Sequence, residues 1–371
     1  MNFSPIEWMN EYYLHSPIKV KFLLVSILVL FILCITVLLV LVSLRMKLYK
    51  RRNTSEILKA KYEEQLITLL YLDPEGPGFD HDRLELIQEL KKAVSVKTER
   101  NILNGMLLNL HRNISGDISN QIRGLFHELG LMKYAVKKLN SRKWHVKIQG
   151  IRELTEMKEH SIQNYVTNLV NHENNLLRRE AQLTMVRLFE YSGLSFLKDL
   201  HYPISEWQQL QLMAAIQQNV EFVIPKIDDL LKSKNITVVQ FALRLIQVFN
   251  QTIEPEEMKR LISHEDPMIR QQTIDLIGEL GLFDMKPFLK EQYIDLGKKE
   301  KLSVLNALTY LGTEEDLEFL LTRSEDQDFK ISLQAMLALK ELLSVDSFKA
   351  EVNALKVKNK KVLEYVMDQV C

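Results

Sequence analysis

Nine histidines stand in the 371-residue chain, and histidine beside carboxylates is the set from which zinc sites and general acid–base pairs are built. His127-Glu128 and His172-Glu173 each begin a His-Glu-x-x-His pattern, but neither has the second histidine four positions on that would put two imidazoles on one helical face. Asp80-His81-Asp82 is the densest group of potential ligands; it directly follows a Gly/Pro break, and the capping of a helix that begins there is the preferred reading over a metal site. No phosphate-binding lysine loop, dinucleotide glycine fingerprint or Gly-x-Ser-x-Gly elbow occurs. Cys34 and Cys371 are too far apart in sequence to form a local thiolate site. The expectation is a chain with no catalytic set, no cofactor and no metal.

The sharpest charged feature lies between Lys133 and Arg152, where Lys133, Lys137, Lys138, Arg142, Lys143, Lys147 and Arg152 occur with no acid among them. Trp144 sits inside this run, and tryptophan ringed by cations is a residue type enriched at interface hot spots. These eight residues are the candidate partner-binding patch; the competing reading is a solvated helix-turn-helix with Trp144 covering the core. A second basic series, Lys147, Arg178, Arg270, Lys301 and Lys330, recurs along the chain and reads first as a ladder of ion pairs between neighbouring repeats.

The elements that must position these residues are helical. Lys+Arg and Asp+Glu both number 48, so no general nucleic-acid footprint is expected, and 46% hydrophobic residues suffice for a sizeable core. Twelve glycines and nine prolines are few for a many-stranded fold. From Phe22 to Leu44 there are 23 consecutive uncharged residues, enough at about 1.5 Å each to cross the roughly 30 Å hydrocarbon core of a bilayer. No small-x-small cleavage site follows it, so a retained anchor is expected in place of a signal peptide. Arg45, Lys47, Lys50, Arg51, Arg52, Lys59 and Lys61 follow against Glu56 alone, which by the positive-inside rule puts the rest of the chain in the cytoplasm and the first residues outside. Trp8, Tyr12, Tyr13 and Tyr49 suit the interfacial belts.

Beyond Asp73-Pro74-Glu75-Gly76-Pro77-Gly78, which breaks the helix after the anchor, the sequence repeats about every 31 residues. Anchor positions fall at Ile118, Val146, Leu177, Trp207, Val238, Ile269, Glu300 and Phe329, and residues four, eight and eleven further on share one helical face. Asn174, Asn235, Asp266 and Asp326 stand three before the anchor as helix caps, and Gly130, Gly281 and Gly312 twelve after it as left-handed terminators. Apolar sets such as Ile162, Tyr165, Val166 and Leu169 supply a second helix per unit.

The unit Asp266-Pro-Met-Ile-Arg-Gln-Gln-Thr-Ile-Asp-Leu-Ile-Gly-Glu-Leu-Gly281 resembles the HEAT-like repeat of bacterial proteins, including those related to phycobilisome lyases, and the resemblance extends over about 118 to 345. It implies an all-α solenoid of about eight two-helix repeats and a protein-binding surface. The expected organisation is a non-cytoplasmic tail over 1–19, a transmembrane helix over 20–44, a basic juxtamembrane helix and linker over 45–78, a helical-hairpin cap over 79–117 and the solenoid over 118–371. The expected function is that of a scaffold or adaptor, not an enzyme, tethered to the cytoplasmic membrane and binding a membrane-associated protein partner, with no nucleic acid and no small-molecule substrate. The resemblance suggests a glycosyltransferase of a surface-polysaccharide system as such a partner. The alternatives are a lyase-like enzyme acting on a bound cofactor, and an anionic lipid or nucleic-acid binder using the 133–152 patch.

Overall fold

The computed structural model describes residues 17–72, 79–189, 192–218, 227–354 and 365–366. Among the described residues every regular element is helical, and no strand occurs. The tail with Trp8, Tyr12 and Tyr13, the linker 73–78 and Cys371 lie outside the described residues. Two compact units divide the chain, Met1–Val136 and Lys137–Cys371.

The first unit is led by α1 (Ile18–Leu70), one unbroken helix of 53 residues and so about 80 Å long. Pro17 precedes it, where a missing N–H costs nothing, and no proline or glycine interrupts it. It is long and apolar enough to cross a membrane, and none of its most apolar 18-residue stretch is buried. Its other end behaves differently. Tyr62 and Leu66 are buried where α1 packs on α2 (Phe79–Ser95) and α3 (Lys97–Asn113), and α3 in turn packs on α4 (Asp117–Glu128). Tyr62 Oη donates to Glu99, and the Arg83 guanidinium lies 2.6 Å from Glu128, so polar ties connect α1 to α3 and α2 to α4. The helix α5 (Leu131–Leu139) carries the division between the units.

In the second unit α6 (Trp144–Glu156), α8 (Asn175–Phe189), α9 (Glu206–Gln217), α11 (Ile236–Phe249), α13 (Pro267–Glu279), α15 (Lys298–Leu311) and α17 (Phe329–Leu342) carry the periodic apolar positions. Packing is between successive members: α6 on α8, α8 on α9, α11 on α13, α13 on α15, α15 on α17. Shorter helices cover them, α7 (Gln163–Thr167) on α8, α10 (Asp228–Leu231) on α11, α12 (Pro255–Ile262) on α13, α14 (Lys286–Gln292) on α15 and α16 (Leu317–Ser324) on α17. A last helix, α18 (Val345–Ala354), packs on α17. The approach of α13 to α15 is close because Gly278 faces Ala307, where a Cβ on the glycine would stand 2.9 Å from Ala307 Cα.

Caps account for the recurrent helix starts. Asn174 Oδ1 accepts from Leu177 N at 3.1 Å, Asn235 Oδ1 from Thr237 N at 3.1 Å, and Asp266 Oδ1 from Met268 N at 2.7 Å. Gly130 and Gly281 take φ of +74° and +68°, the left-handed values that end a helix. Gly312 does not: its φ is −59°, and the chain runs straight into a capping box in which Thr313 and Asp316 satisfy each other's backbone groups.

The expected register needs two corrections. Trp207 is 63% exposed, whereas Gln208 beside it is 6% exposed and occupies the anchor place. Phe329 is 46% exposed, and the buried anchor of α17 is Ile331 at 6%. With these residues the anchors Leu177, Gln208, Val238, Ile269, Glu300 and Ile331 recur every 30 or 31 residues. The cap of α17 moves with its anchor, from the expected Asp326 to Asp328, whose Oδ1 accepts from Lys330 N at 3.0 Å. At Gln208 the physical reason is that the anchor is polar but satisfied, as the anchor Glu300 also is. Gln208 donates to Gln182, which itself donates to Val170 O at 2.8 Å, and the Glu300 carboxylate receives Arg270 Nε at 2.5 Å.

Candidate functional site

The residues of the expected basic patch do not share one environment. Lys133 is exposed on α5 within the first unit, while Lys137, Lys138, Arg142, Lys143, Trp144, Lys147 and Arg152 belong to the second. Two of them are engaged: Lys138 Nζ reaches the buried Glu153 carboxylate at 2.5 Å, and the Arg152 guanidinium meets Glu180 at 2.6 Å across the α6–α8 packing. Glu180 holds the Arg152 proton more firmly than usual, and burial opposes this only in part. Lys137, Arg142, Lys143 and Lys147 pair with no acid among the described residues. Trp144 opens α6 at 44% exposure, its ring edge-on to His145, and does not cover the core. What remains of the patch is a tryptophan with unpaired cations at the turn between α5 and α6.

The second basic series also separates. Arg270 joins Glu300 of the next helix and donates to His264 O at 2.7 Å, so it is an inter-helix tie. Arg178 instead donates to His172 O at 2.7 Å and lies over the Tyr202 ring, 4.0 Å from its centroid. Lys301 stands 5.6 Å from the centre of the Tyr293 ring. Lys330 does not belong with them, because the corrected register aligns it with Lys299.

His172, singled out from sequence, serves a turn, and His264 does the same. His172 Nδ1 accepts from Asn174 N at 2.9 Å and His264 Nδ1 from Asp266 N at 3.0 Å, each just before a helix start. Asp80, His81 and Asp82 are exposed in the first turn of α2, where the two acids complement the positive helix end. Among the described residues no group of three metal-ligating side chains converges.

A groove that sequence reasoning missed crosses three successive helices of the second unit. It encloses about 480 Å³ and is lined by Gln271 and Asp275 of α13, Lys299, Leu302, Ser303 and Asn306 of α15, and Lys330, Leu333 and Gln334 of α17. The lining repeats at 31 residues: Gln271 aligns with Leu302 and Leu333, Asp275 with Asn306, Lys299 with Lys330, and Ser303 with Gln334. Gln334 Nε2 donates to Asn306 Oδ1 at 3.4 Å. Burial pushes the Asp275 carboxyl above the ordinary aspartate range and Glu279 adds to this, while a hydrogen bond from Ser303 pulls it back. Lys299 and Lys330 are exposed at the edge and pair with no acid among the described residues. Such a surface can bind through cations and carboxamides, and the Ser303 hydroxyl in it is engaged by the Asp275 carboxylate. The available signal was the 31-residue spacing of Lys299 and Lys330, hidden by the misplaced anchor at Phe329.

No protein-family model matches this chain, and no curated protein is found similar to it.

Proposed function

We propose that the chain is a membrane-anchored binding scaffold: α1 crosses the bilayer once, and the helices that follow form a HEAT-like solenoid on its cytoplasmic side that binds a membrane-associated protein. The observation that carries this reading is the continuity of α1. Its first half presents apolar side chains that nothing among the described residues covers, which in water would be an unsustainable surface and in lipid is the stable one. Near its other end Tyr62 and Leu66 are buried in the first helical unit. The anchor thus runs without a break into the folded unit, and a partner held by the scaffold is concentrated at the membrane.

The solenoid reading is supported by the alternation of packed long helices and short covering helices at 30- or 31-residue spacing. The cytoplasmic placement rests on the excess of Lys and Arg between Arg45 and Lys61. Binding is supported by exposed aromatic and cationic side chains such as Trp144, Arg142 and Lys143 and by a groove that sets lysines, carboxamides and leucines side by side. A glycosyltransferase of a surface-polysaccharide system remains the partner that the family resemblance suggests. In-cell photocrosslinking from position 142 or 143 tests the scaffold reading. A discrete adduct with an integral membrane protein, lost when Ile18–Leu44 is deleted, is expected; adducts unchanged by that deletion would contradict it.

A further inference from the structure

The groove on α13, α15 and α17 has a geometry that selects among ligands. Helices that pack side by side have axes about 8–10 Å apart, so the aligned Lys299 and Lys330 arise from neighbouring helices at about that spacing. An extended β-strand brings side chains to one face about every 7 Å, and an α-helix brings i and i+4 together about every 6 Å. A polyproline II segment has three residues per turn and rises about 9.3 Å per turn, so every third side chain points the same way at the spacing of the helices. That conformation also leaves its backbone N–H and C=O groups unpaired. Gln271, Asn306 and Gln334, which can both donate and accept, line the groove beside Leu302 and Leu333, two half-buried apolar steps 31 residues apart.

We infer that this groove binds an extended polyproline II segment of a protein partner whose acidic side chains recur every third residue and meet Lys299 and Lys330. The inference deepens the scaffold reading and rests on it, giving the partner a chemical signature. Charge complementarity carries the choice of an acidic segment: two exposed lysines without ion pairs face one half-buried acid, Asp275, which is already held by Ser303. The apolar steps suit proline rings between the acidic residues. A nucleic acid or a lipid headgroup would use the lysines and the carboxamides but would leave the leucine row without a partner.

The test uses the full chain in detergent micelles and a dye-labelled peptide of repeated Pro-Pro-Glu, followed by fluorescence anisotropy. Saturable binding is expected, weakened at least about tenfold by Lys299→Glu with Lys330→Glu, strengthened by Asp275→Asn, and absent for repeated Pro-Pro-Lys. Binding should also fall as salt is raised. Absence of saturable binding by a chain with an intact helical circular dichroism spectrum would overturn the inference. So would binding that the double lysine variant leaves unchanged, or lysine-dependent binding of anionic lipid vesicles or polyphosphate with none of the peptide. Failure here is separable from failure of the scaffold reading: if the double variant still gives the membrane-protein adduct in cells, only the groove assignment falls. If the chain is not in the membrane at all, peptide binding in micelles is unaffected.

Discussion

Lys286 Nζ lies 2.7 Å from the carboxylate of Asp316, and the two side chains are almost wholly buried. Lys290 Nζ reaches the other oxygen at 2.6 Å, and Thr313 N donates to the same carboxylate at 2.9 Å, so one aspartate ties α14 to the turn that starts α16. Burial by itself would raise the Asp316 pKa, but its hydrogen bonds to Lys286, Lys290 and the Thr313 backbone outweigh it and hold the group at about 2.

Replacing Asp316 with Asn should therefore cost about 3–5 kcal/mol, because the buried Lys286 ammonium and the half-buried Lys290 lose their counter-charge. Acid should act the same way. The folded-state pKa is depressed, so the stabilisation is complete above the unfolded value of about 3.9 and is lost as pH falls through about 2. Urea melts of wild type and Asp316→Asn between neutral and strongly acidic pH check both effects: the stability gap should be widest at neutral pH and close over that window.

Trp207 and Gln208 should behave opposite to their hydrophobicity. Trp207→Ala is expected to change stability by no more than about 0.5 kcal/mol, since the ring is largely exposed. Gln208→Ala leaves the buried Gln182 Oε1 without its donor and should cost about 1–3 kcal/mol. Thermal unfolding followed by circular dichroism distinguishes the two.

This pair also shows how far the sequence could be read. The helices, their spacing and the caps Asn174, Asn235 and Asp266 were legible because capping oxygens and apolar faces are type-specific signals. The register failed where a buried anchor is polar and satisfied by a residue tens of positions away, as Gln208 is by Gln182. A search that rewards apolar residues then settles on the neighbouring Trp207. A two-residue slip at Phe329, an exposed aromatic beside the buried Ile331, set Lys330 in the wrong series and concealed its alignment with Lys299. The patch at 133–152 was legible as charge, but the carboxylates that neutralise Lys138 and Arg152 come from Glu153 and from Glu180 of the next helix, which no local reading supplies.

Within that patch the cations should separate by variant. Lys138→Glu places a carboxylate against the buried Glu153 and is expected to destabilise by about 3–5 kcal/mol. Arg142→Glu and Lys143→Glu should cost no more than about 1 kcal/mol each, yet weaken crosslinking to the partner, as should Trp144→Ala at unchanged melting temperature. Melting curves and crosslinking yields on the same four variants check this.

Where the first unit begins is also testable. Tyr62 and Leu66 are buried against α2 and α3, so a chain starting near Ser55 should fold more stably than one starting at Phe79, which uncovers those faces. Urea midpoints of the two fragments should differ in that order, and equal midpoints would contradict it.

The account stands most directly on α1 remaining in the membrane as part of the chain. Intact-mass spectrometry of the recombinant protein, recovered from membranes washed with alkaline carbonate, decides this. A species at the full 43.4 kDa in the washed membranes is the result the account predicts. Recovery only in the wash, or of a shorter species that begins after Leu44, would show that the apolar stretch is not a retained anchor and would contradict the account.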